Sequence, residues 1–132
     1  MMRVARQEYQ VAGLPTPISH YTDAVRFGDL LFVSGLTAHD AEGRLVDGDA
    51  AMQTRRILEN LSLVLSGAGA SFADVLKVTV YLTDISDRTL INPVRKEFFG
   101  DFRPASTLVE VSALALPGMR VEIEAVVGLP SA

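Results

Sequence analysis

The feature of this sequence that most limits its fold is the order of its periodic segments, which runs strands, helix, strand, helix, strands over 132 residues. Two helices are too few to cover both faces of the six-stranded sheet that these segments predict. We therefore expect both helices to pack on one face, in an α+β layer. The other face of the sheet needs a partner, because an apolar face in water is unfavourable. Self-association is the simplest source of that partner.

The first helix is predicted to start after Asp49, a residue type that caps helices, and to run to about Ser66. Apolar residues recur at intervals of three and four, which places them on one side of a helix. They are Ile57, Leu58, Leu61, Val64, Leu65 and Ala68. The charged and amide residues Arg55, Arg56, Glu59 and Asn60 are assigned mostly to the other side. Gly67 or Gly69 is expected to end the helix.

The second helix is predicted over residues 87–99. Its expected buried residues are Leu90, Ile91, Val94 and Phe98. Pro93 is unfavourable inside a helix because it lacks an N–H and clashes with the preceding turn. A helix with Asn92 as its cap and Pro93 as its first residue would avoid that conflict.

Strands are predicted from apolar runs and from alternation. They cover residues 3–9, 24–27, 30–34, 75–82, 107–112 and 120–127. Gly28-Asp29 and Pro117-Gly118 read as turns between neighbouring strands. No repeat or linker interrupts the pattern, so one domain is expected over residues 1–132.

Composition argues against several classes of protein. The net charge of −4 does not favour nucleic-acid binding. The absence of cysteine excludes disulfides and cysteine zinc sites, and two histidines do not favour a histidine metal site. No apolar run has the length of a signal peptide or a membrane span, so a cytoplasmic protein is expected.

Several short motifs occur in an order and spacing that resemble one family. They are Tyr21–Gly35 (YTDAVRFGDLLFVSG), Asn60-Leu61, Gly67–Ala70 with Asp74-Val75 and Lys77–Leu82, Asn92 with Phe98-Phe99, Pro104-Ala105, Val109–Val111 and Val121–Ala125. Together they make the chain similar to the RidA (YjgF) family of small imine and enamine deaminases. The resemblance covers nearly the whole chain.

The resemblance implies a chorismate-mutase-like fold, a homotrimer whose three sheets close into a barrel, and small-molecule sites in the clefts between subunits. It implies hydrolysis of reactive imines and enamines, such as 2-aminoacrylate, to a keto acid and ammonia without a cofactor or metal. Endoribonuclease activity is also attributed to members of the family.

The sequence departs from the family at the position after Pro104-Ala105. Active deaminases carry there an arginine that holds the substrate carboxylate, whereas this chain has Ser106. Arginine grips a carboxylate with two charge-assisted hydrogen bonds, and serine offers one neutral donor. We therefore expect weak hydrolysis of 2-aminoacrylate, and a gain from Ser106→Arg. The Ser19-His20 pair before Tyr21 also differs from the family's usual Gly-Pro, and is compatible with a 2-aminomuconate-like substrate.

The resemblance assigns roles to particular residues. Glu122 would position the attacking water, with Tyr21 or His20 assisting the departure of ammonia. Ser34, Ser106, Thr107 and Asn92 would line the ligand cleft. Five of them have a plainer interpretation: Glu122 as a solvated strand residue, Tyr21 as a packing residue, His20 as an exposed loop residue, Ser34 as a turn residue and Asn92 as a helix cap.

Glu124, on the same side of its strand as Glu122, is a second candidate carboxylate, because two neighbouring carboxylates raise one pKa. His39 lies in a polar loop and is expected to be solvated. Arg103 and Arg120 are candidate replacements for the missing arginine.

Two further functions remain open. The chain could be a non-catalytic trimer that binds a small carboxylate metabolite, which the serine at position 106 favours. RNA cleavage is disfavoured by the acidic net charge, since phosphate binding requires cations.

Overall fold

The structure is a computed structural model that describes residues 5–130, and it contains a six-stranded sheet with two helices on one face. The strands are β1 (Arg6–Tyr9), β2 (Ala24–Phe27), β3 (Leu30–Leu36), β4 (Val75–Leu82), β5 (Ala105–Glu110) and β6 (Val121–Gly128). The helices are α1 (Ala50–Gly67) and α2 (Arg88–Phe99), and single 3₁₀ turns occupy Phe72–Asp74 and Ile85–Asp87. The strand order is β1-β2-β3-β6-β4-β5. Only the pairing of β4 with β5 is parallel in the described chain, so the sheet is mixed.

The core lies between the helices and one face of the sheet, which we call the helix face. Alternate residues of β4 and β6 are buried there, because side chains alternate across a strand. These residues are Val78, Val80, Leu82, Val121, Ile123, Ala125 and Val127. Ile57, Leu61 and Leu65 of α1 pack against them. The predicted α+β layer with both helices on one side is confirmed.

Helix α1 begins where the sequence predicts. The Asp49 carboxylate accepts a hydrogen bond from the N–H of Met52 at 2.9 Å, which satisfies one of the free donors of the first turn. The chain leaves the helix through Gly69, whose φ of 72° favours glycine. One assignment was wrong: Asn60 is only 2% exposed and lies on the buried side of α1.

Helix α2 differs from its prediction at Asn92 and Pro93. It runs unbroken through Pro93, and Asp87, not Asn92, is at the N-cap. The lost hydrogen bond at Pro93 is offset by burial of Ile91, Val94 and Phe99, since packing outweighs propensity. Leu90 was predicted to be buried but is 47% exposed, and Phe99 takes its place in the core.

Four strands also shift at their boundaries, including β6, which covers Val121–Gly128 where 120–127 was predicted. Strand β3 continues to Leu36 through an irregularity, and β5 covers 105–110 because it follows β4 in parallel register from Ala105↔Lys77 to Glu110↔Leu82. The predicted first strand is observed from Arg6, and Arg3 and Val4 lie outside the described residues.

The opposite side of the sheet, which we call the open face, is uncovered in the single chain. Phe32 is 49% exposed there, and Val109 is 38% exposed. From the sequence, we expected other subunits to cover this exposed apolar surface. No helix between residues 5 and 130 has the length and apolarity needed to cross a bilayer.

Candidate active site

A cleft of about 610 Å³ lies between three loops and the strands β3 and β6. Its walls are formed by some of the residues in the segments 15–21, 37–43 and 115–119, and its floor is formed by Ser34, Gly35 and Glu122. The volume falls in the range of sites for small molecules. Among the described residues that line this cleft there is no lysine or arginine, whereas Glu42 and Glu122 both line it.

Glu122 is placed in the cleft by strand alternation. Its neighbours Val121 and Ile123 are buried on the helix face, so its own side chain points to the open face. The carboxylate lies over Gly35, and glycine there leaves the space that it occupies. Desolvation raises the pKa of the Glu122 carboxyl above its usual value, and the charge of Glu124 raises it further. A half-buried carboxylate with a raised pKa is a stronger proton acceptor than an ordinary glutamate.

Glu124 is fixed on the same face of β6. The Tyr81 hydroxyl donates a hydrogen bond to its Oε1 at 2.9 Å, from a position opposite Glu122 on β4. The negative charge of Glu124 is therefore held beside Glu122. Glu124 is not among the residues that line the cleft.

Ser34 and Tyr21 lie in the cleft with Glu122. The Ser34 hydroxyl donates to the carbonyl of Thr22 at 2.5 Å, so its lone pairs are left to accept a hydrogen bond from a ligand. Tyr21 is 48% exposed, and none of the hydrogen bonds found in residues 5–130 uses its hydroxyl. The pair thus offers a ligand one acceptor and one donor.

His39 was expected to be solvated, and this was wrong. It is 9% exposed, lines the cleft, and its Nδ1 is 2.7 Å from the Thr37 hydroxyl. Burial lowers the pKa of His39, with the charge of Asp40 acting in the opposite direction, so the imidazole is neutral at pH 7. The loop that carries His39 folds back onto α1. The sequence did not reveal this contact, because the loop and the helix residues that it meets are far apart in the chain.

Two buried amides of α1 hold the cleft walls in place. Asn60 Nδ2 donates to the carbonyls of Thr37 at 3.1 Å and of His39 at 3.0 Å. Gln53 donates to the carbonyl of Gly118 at 3.0 Å and accepts from the Arg120 N–H at 2.8 Å. Both are positioning residues that the sequence analysis missed. The sequence signal that could have identified them is an amide side chain within or next to the apolar stripe of a helix.

The remaining candidates lie elsewhere in the single chain. His20 is exposed next to Tyr21 but does not line the cleft, and Asn92 is exposed on α2. Ser106 pairs with the buried Val78 and so lies on the helix face of β5. Its hydroxyl accepts a hydrogen bond from Arg95 of α2 at 2.9 Å. Thr107 lies on the open face and accepts from Lys77 at 2.7 Å.

A family model described as Endoribonuclease L-PSP matches residues 12–128 of the chain. The chain belongs to the RidA (YjgF) family. It is 44% identical to a RutC family protein of Pyrococcus abyssi over 113 residues, which is 85% of this chain and 88% of that protein. It is 37% identical to the 2-iminobutanoate/2-iminopropanoate deaminase of Bos taurus over 127 residues, or 96% of this chain and 92% of that one.

Solved structures of the RidA family agree with the fold. RidA from an Antarctic Psychrobacter superposes with a TM-score of 0.88 at 33% identity, covering 93% of this chain and 99% of that one. A Rid protein of unknown function from Yersinia pestis gives a TM-score of 0.90 at 33% identity, with 95% and 100% covered. The six-stranded mixed sheet with two helices is thus the chorismate-mutase-like fold expected from the resemblance.

Proposed function

We propose that this protein is a hydrolytic deaminase of small imines and enamines. The observation that carries the proposal is the half-buried carboxylate of Glu122, with its raised pKa, in a cleft that also holds Tyr21 and Ser34. Membership of the RidA family and similarity to a 2-iminobutanoate/2-iminopropanoate deaminase support the same reaction class.

The reaction is addition of water to a C=N bond. Glu122 takes a proton from water as the oxygen attacks carbon, the π electron pair moves onto nitrogen, and the Glu122 carboxyl delivers that proton to nitrogen to give a neutral carbinolamine. The carboxylate then takes the hydroxyl proton of the carbinolamine as the C=O bond forms and the C–N bond breaks, and this proton is passed to the departing nitrogen, which leaves as ammonia. An imine carbon is already electrophilic, so the reaction needs no cofactor. An enamine first becomes an imine by taking a proton at carbon and losing one from nitrogen.

The other cleft residues are assigned to the nitrogen. Ser34 can accept from an imine N–H, because its own proton is committed to the Thr22 carbonyl. Tyr21 can donate to the departing nitrogen, and His20 beside it is the alternative proton carrier. His39 is neutral and joined to Thr37, so it can donate or accept at its second ring nitrogen.

The proposed site lies between subunits of a homotrimer. Glu122, Tyr21 and Ser34 lie in one cleft. Ser106 and Thr107 lie on β5, and Asn92 lies on α2. β4 separates β5 from β6, and Ser106 lies on the opposite face from Glu122. If both sets act in one site, they come from different copies of the chain. The exposed apolar residues of the open face support the same assembly.

The test uses an imine generated in solution by an amino-acid oxidase, with semicarbazide as a competing trap. We expect the protein to divert 2-iminobutanoate to the keto acid and ammonia and to lower the yield of semicarbazone. Glu122→Gln keeps the size of the side chain and removes the base, so the rate should fall roughly 10²–10⁴-fold. The trimer and its melting temperature should be retained. Full activity in Glu122→Gln would overturn the assignment of the base.

One observation favours a second function. With Ser106 in place of the family's arginine, the chain is a candidate for a trimer that binds a small carboxylate without turnover. In that case calorimetry with a keto acid would detect binding, and the diversion assay would give the same result with and without protein. The two functions are thereby separated.

A further inference from the structure

We infer that Arg95 supplies the cation that holds the substrate carboxylate, and that Ser106 positions its guanidinium at the outer edge of the sheet. This inference rests on the proposed function, since it names the substrate class of the same site. It assigns a ligand-binding role to a residue of α2 that no sequence motif singled out.

The first support is geometric. Arg95 Nη2 donates to Ser106 Oγ at 2.9 Å, which ties the guanidinium to β5. β5 is the last strand of the sheet, so its outer edge pairs with nothing in residues 5–130. A guanidinium has five N–H donors in a planar fork, and this bond uses one of them. The others are available to a ligand that reaches this edge.

The second support is the charge of Arg95. Arg6, Arg26, Arg44 and Arg55 each have a carboxylate within 4.0 Å, whereas no ion pair in the described chain includes Arg95. Its side chain is half-buried, and desolvation lowers the pKa of Arg95 with no opposing charge. A desolvated cation without a counter-ion is unfavourable, and an anion that binds there would relieve this.

The third support is the absence of a lysine or arginine among the described residues that line the cleft. A carboxylate substrate placed beside Glu122 and Glu42 needs a cation, and the described cleft residues of one chain provide none. Arg95 cannot supply it within the same subunit, because the sheet lies between the helix face, where Ser106 points, and the open face, where Glu122 points. The guanidinium therefore completes the cleft of another copy of the chain.

The two arginines suggested by the sequence fit this role less well. The pKa of Asp84 is lowered mainly by hydrogen bonds from Ser86 and further by the charge of Arg120, so Arg120 already has an acidic neighbour. Arg103 is exposed, and no hydrogen bond of the described chain holds its side chain. Arg95 is the arginine that is both held by a neighbour and free of a carboxylate.

The planar guanidinium of Arg95 favours a planar anion with two oxygens that can each accept a hydrogen bond, which is the geometry of a carboxylate. The substrate class is therefore 2-imino acids and their enamine tautomers, not uncharged imines. With Arg95 present, weak hydrolysis of 2-aminoacrylate no longer follows from the serine at position 106. Ser106→Arg alone should give no gain, because it places a second cation against Arg95.

The experiment measures binding of 2-oxobutanoate, a stable keto acid, by calorimetry, together with the diversion assay. Arg95→Gln keeps a polar side chain with N–H donors but removes the charge. We expect its affinity to fall roughly 10- to 100-fold, the range for a lost charge-assisted pair. Arg88→Gln makes the same chemical change at an exposed position of α2 and should bind as the parent does. The double variant Arg95→Ala/Ser106→Arg, which moves the guanidinium onto β5, should recover binding.

The outcomes separate this inference from the proposed function. Equal affinity and equal KM in the parent and in Arg95→Gln would overturn the role of Arg95, even if imines are hydrolysed. Loss of 2-oxobutanoate binding in Arg95→Gln, with no diversion by the parent, would support Arg95 and overturn the deaminase. If Arg95→Gln does not fold, the double variant decides: binding by it supports a guanidinium requirement at this edge, and failure to bind contradicts it.

Discussion

The carboxylate of Glu122 lies directly against Gly35. A Cβ built on residue 35 would lie 2.7 Å from Glu122 Cδ and 3.1 Å from Cγ, closer than side chains pack. Glycine at the end of β3 is therefore required by the present position of Glu122 and not by its own backbone angles, since its φ is not positive. The floor of the cleft thus depends on a pair of residues from two neighbouring strands.

Gly35→Ala should displace the Glu122 carboxylate from the cleft floor. A misplacement of about 1 Å at a reacting group can reduce the rate by about 10²-fold, and we expect a loss of that order. The measurement is kcat/KM in the imine diversion assay. Gly67→Ala is the matched control, because a Cβ there meets nothing within 4 Å, and it should keep full activity. An equally active Gly35→Ala would show that the carboxylate works from another position.

The rate should depend on pH through the ionisation of Glu122. Its pKa is raised, so the base is protonated at pH values where an ordinary glutamate is ionised, and activity should rise with pH through that raised pKa. Glu124→Gln removes a charge that raises the pKa, so the acid limb of the pH–rate profile should move to lower pH. Glu42→Gln, which removes a cleft charge that does not act on Glu122, should leave the limb in place. A limb unmoved by Glu124→Gln would contradict this coupling.

Asn60 should contribute to both stability and activity. Its amide holds the carbonyls of Thr37 and His39, so Asn60→Leu leaves two acceptors without their partner. We expect the free energy of unfolding to fall by about 1–3 kcal/mol and the rate to fall with it as the loop loosens. Glu59→Leu, on the exposed side of the same helix, is the control for chemical denaturation. Unchanged stability in Asn60→Leu would mean that the loop is held by other contacts.

Local patterns predicted most of the fold because helices and strands each have a characteristic spacing of apolar residues in the sequence. The apolar stripe from Ile57 to Leu65 and the alternation around Ile123 were enough to place α1 and β6. Pro93 was misjudged because burial of Val94 and Phe99 outweighs one lost hydrogen bond.

The site was less accessible from the sequence, because its contacts join residues far apart in the chain. Asn60 meets His39 across 21 positions, and Gln53 meets Arg120 across 67. No spacing rule relates them. Arg95 and Ser106 are only 11 positions apart, yet their contact depends on how α2 lies over β5. Glu122, Tyr21 and Ser34 were selected by resemblance, and the structure places them in one cleft.

The central claim is that Glu122 of one subunit and Arg95 of another build one deaminating site. At substrate concentrations well below the parental KM, Glu122→Gln and Arg95→Gln are each expected to keep at most about a tenth of the parental rate. Subunits of the two variants are refolded together in equal amounts, and the diversion assay is repeated. Random assembly of a closed trimer gives roughly a quarter of the sites both native residues.

We expect the mixed protein to regain roughly a quarter of the parental rate, and the two variants mixed without refolding to regain nothing. A refolded mixture that is no more active than the average of its two components would contradict a site shared between subunits.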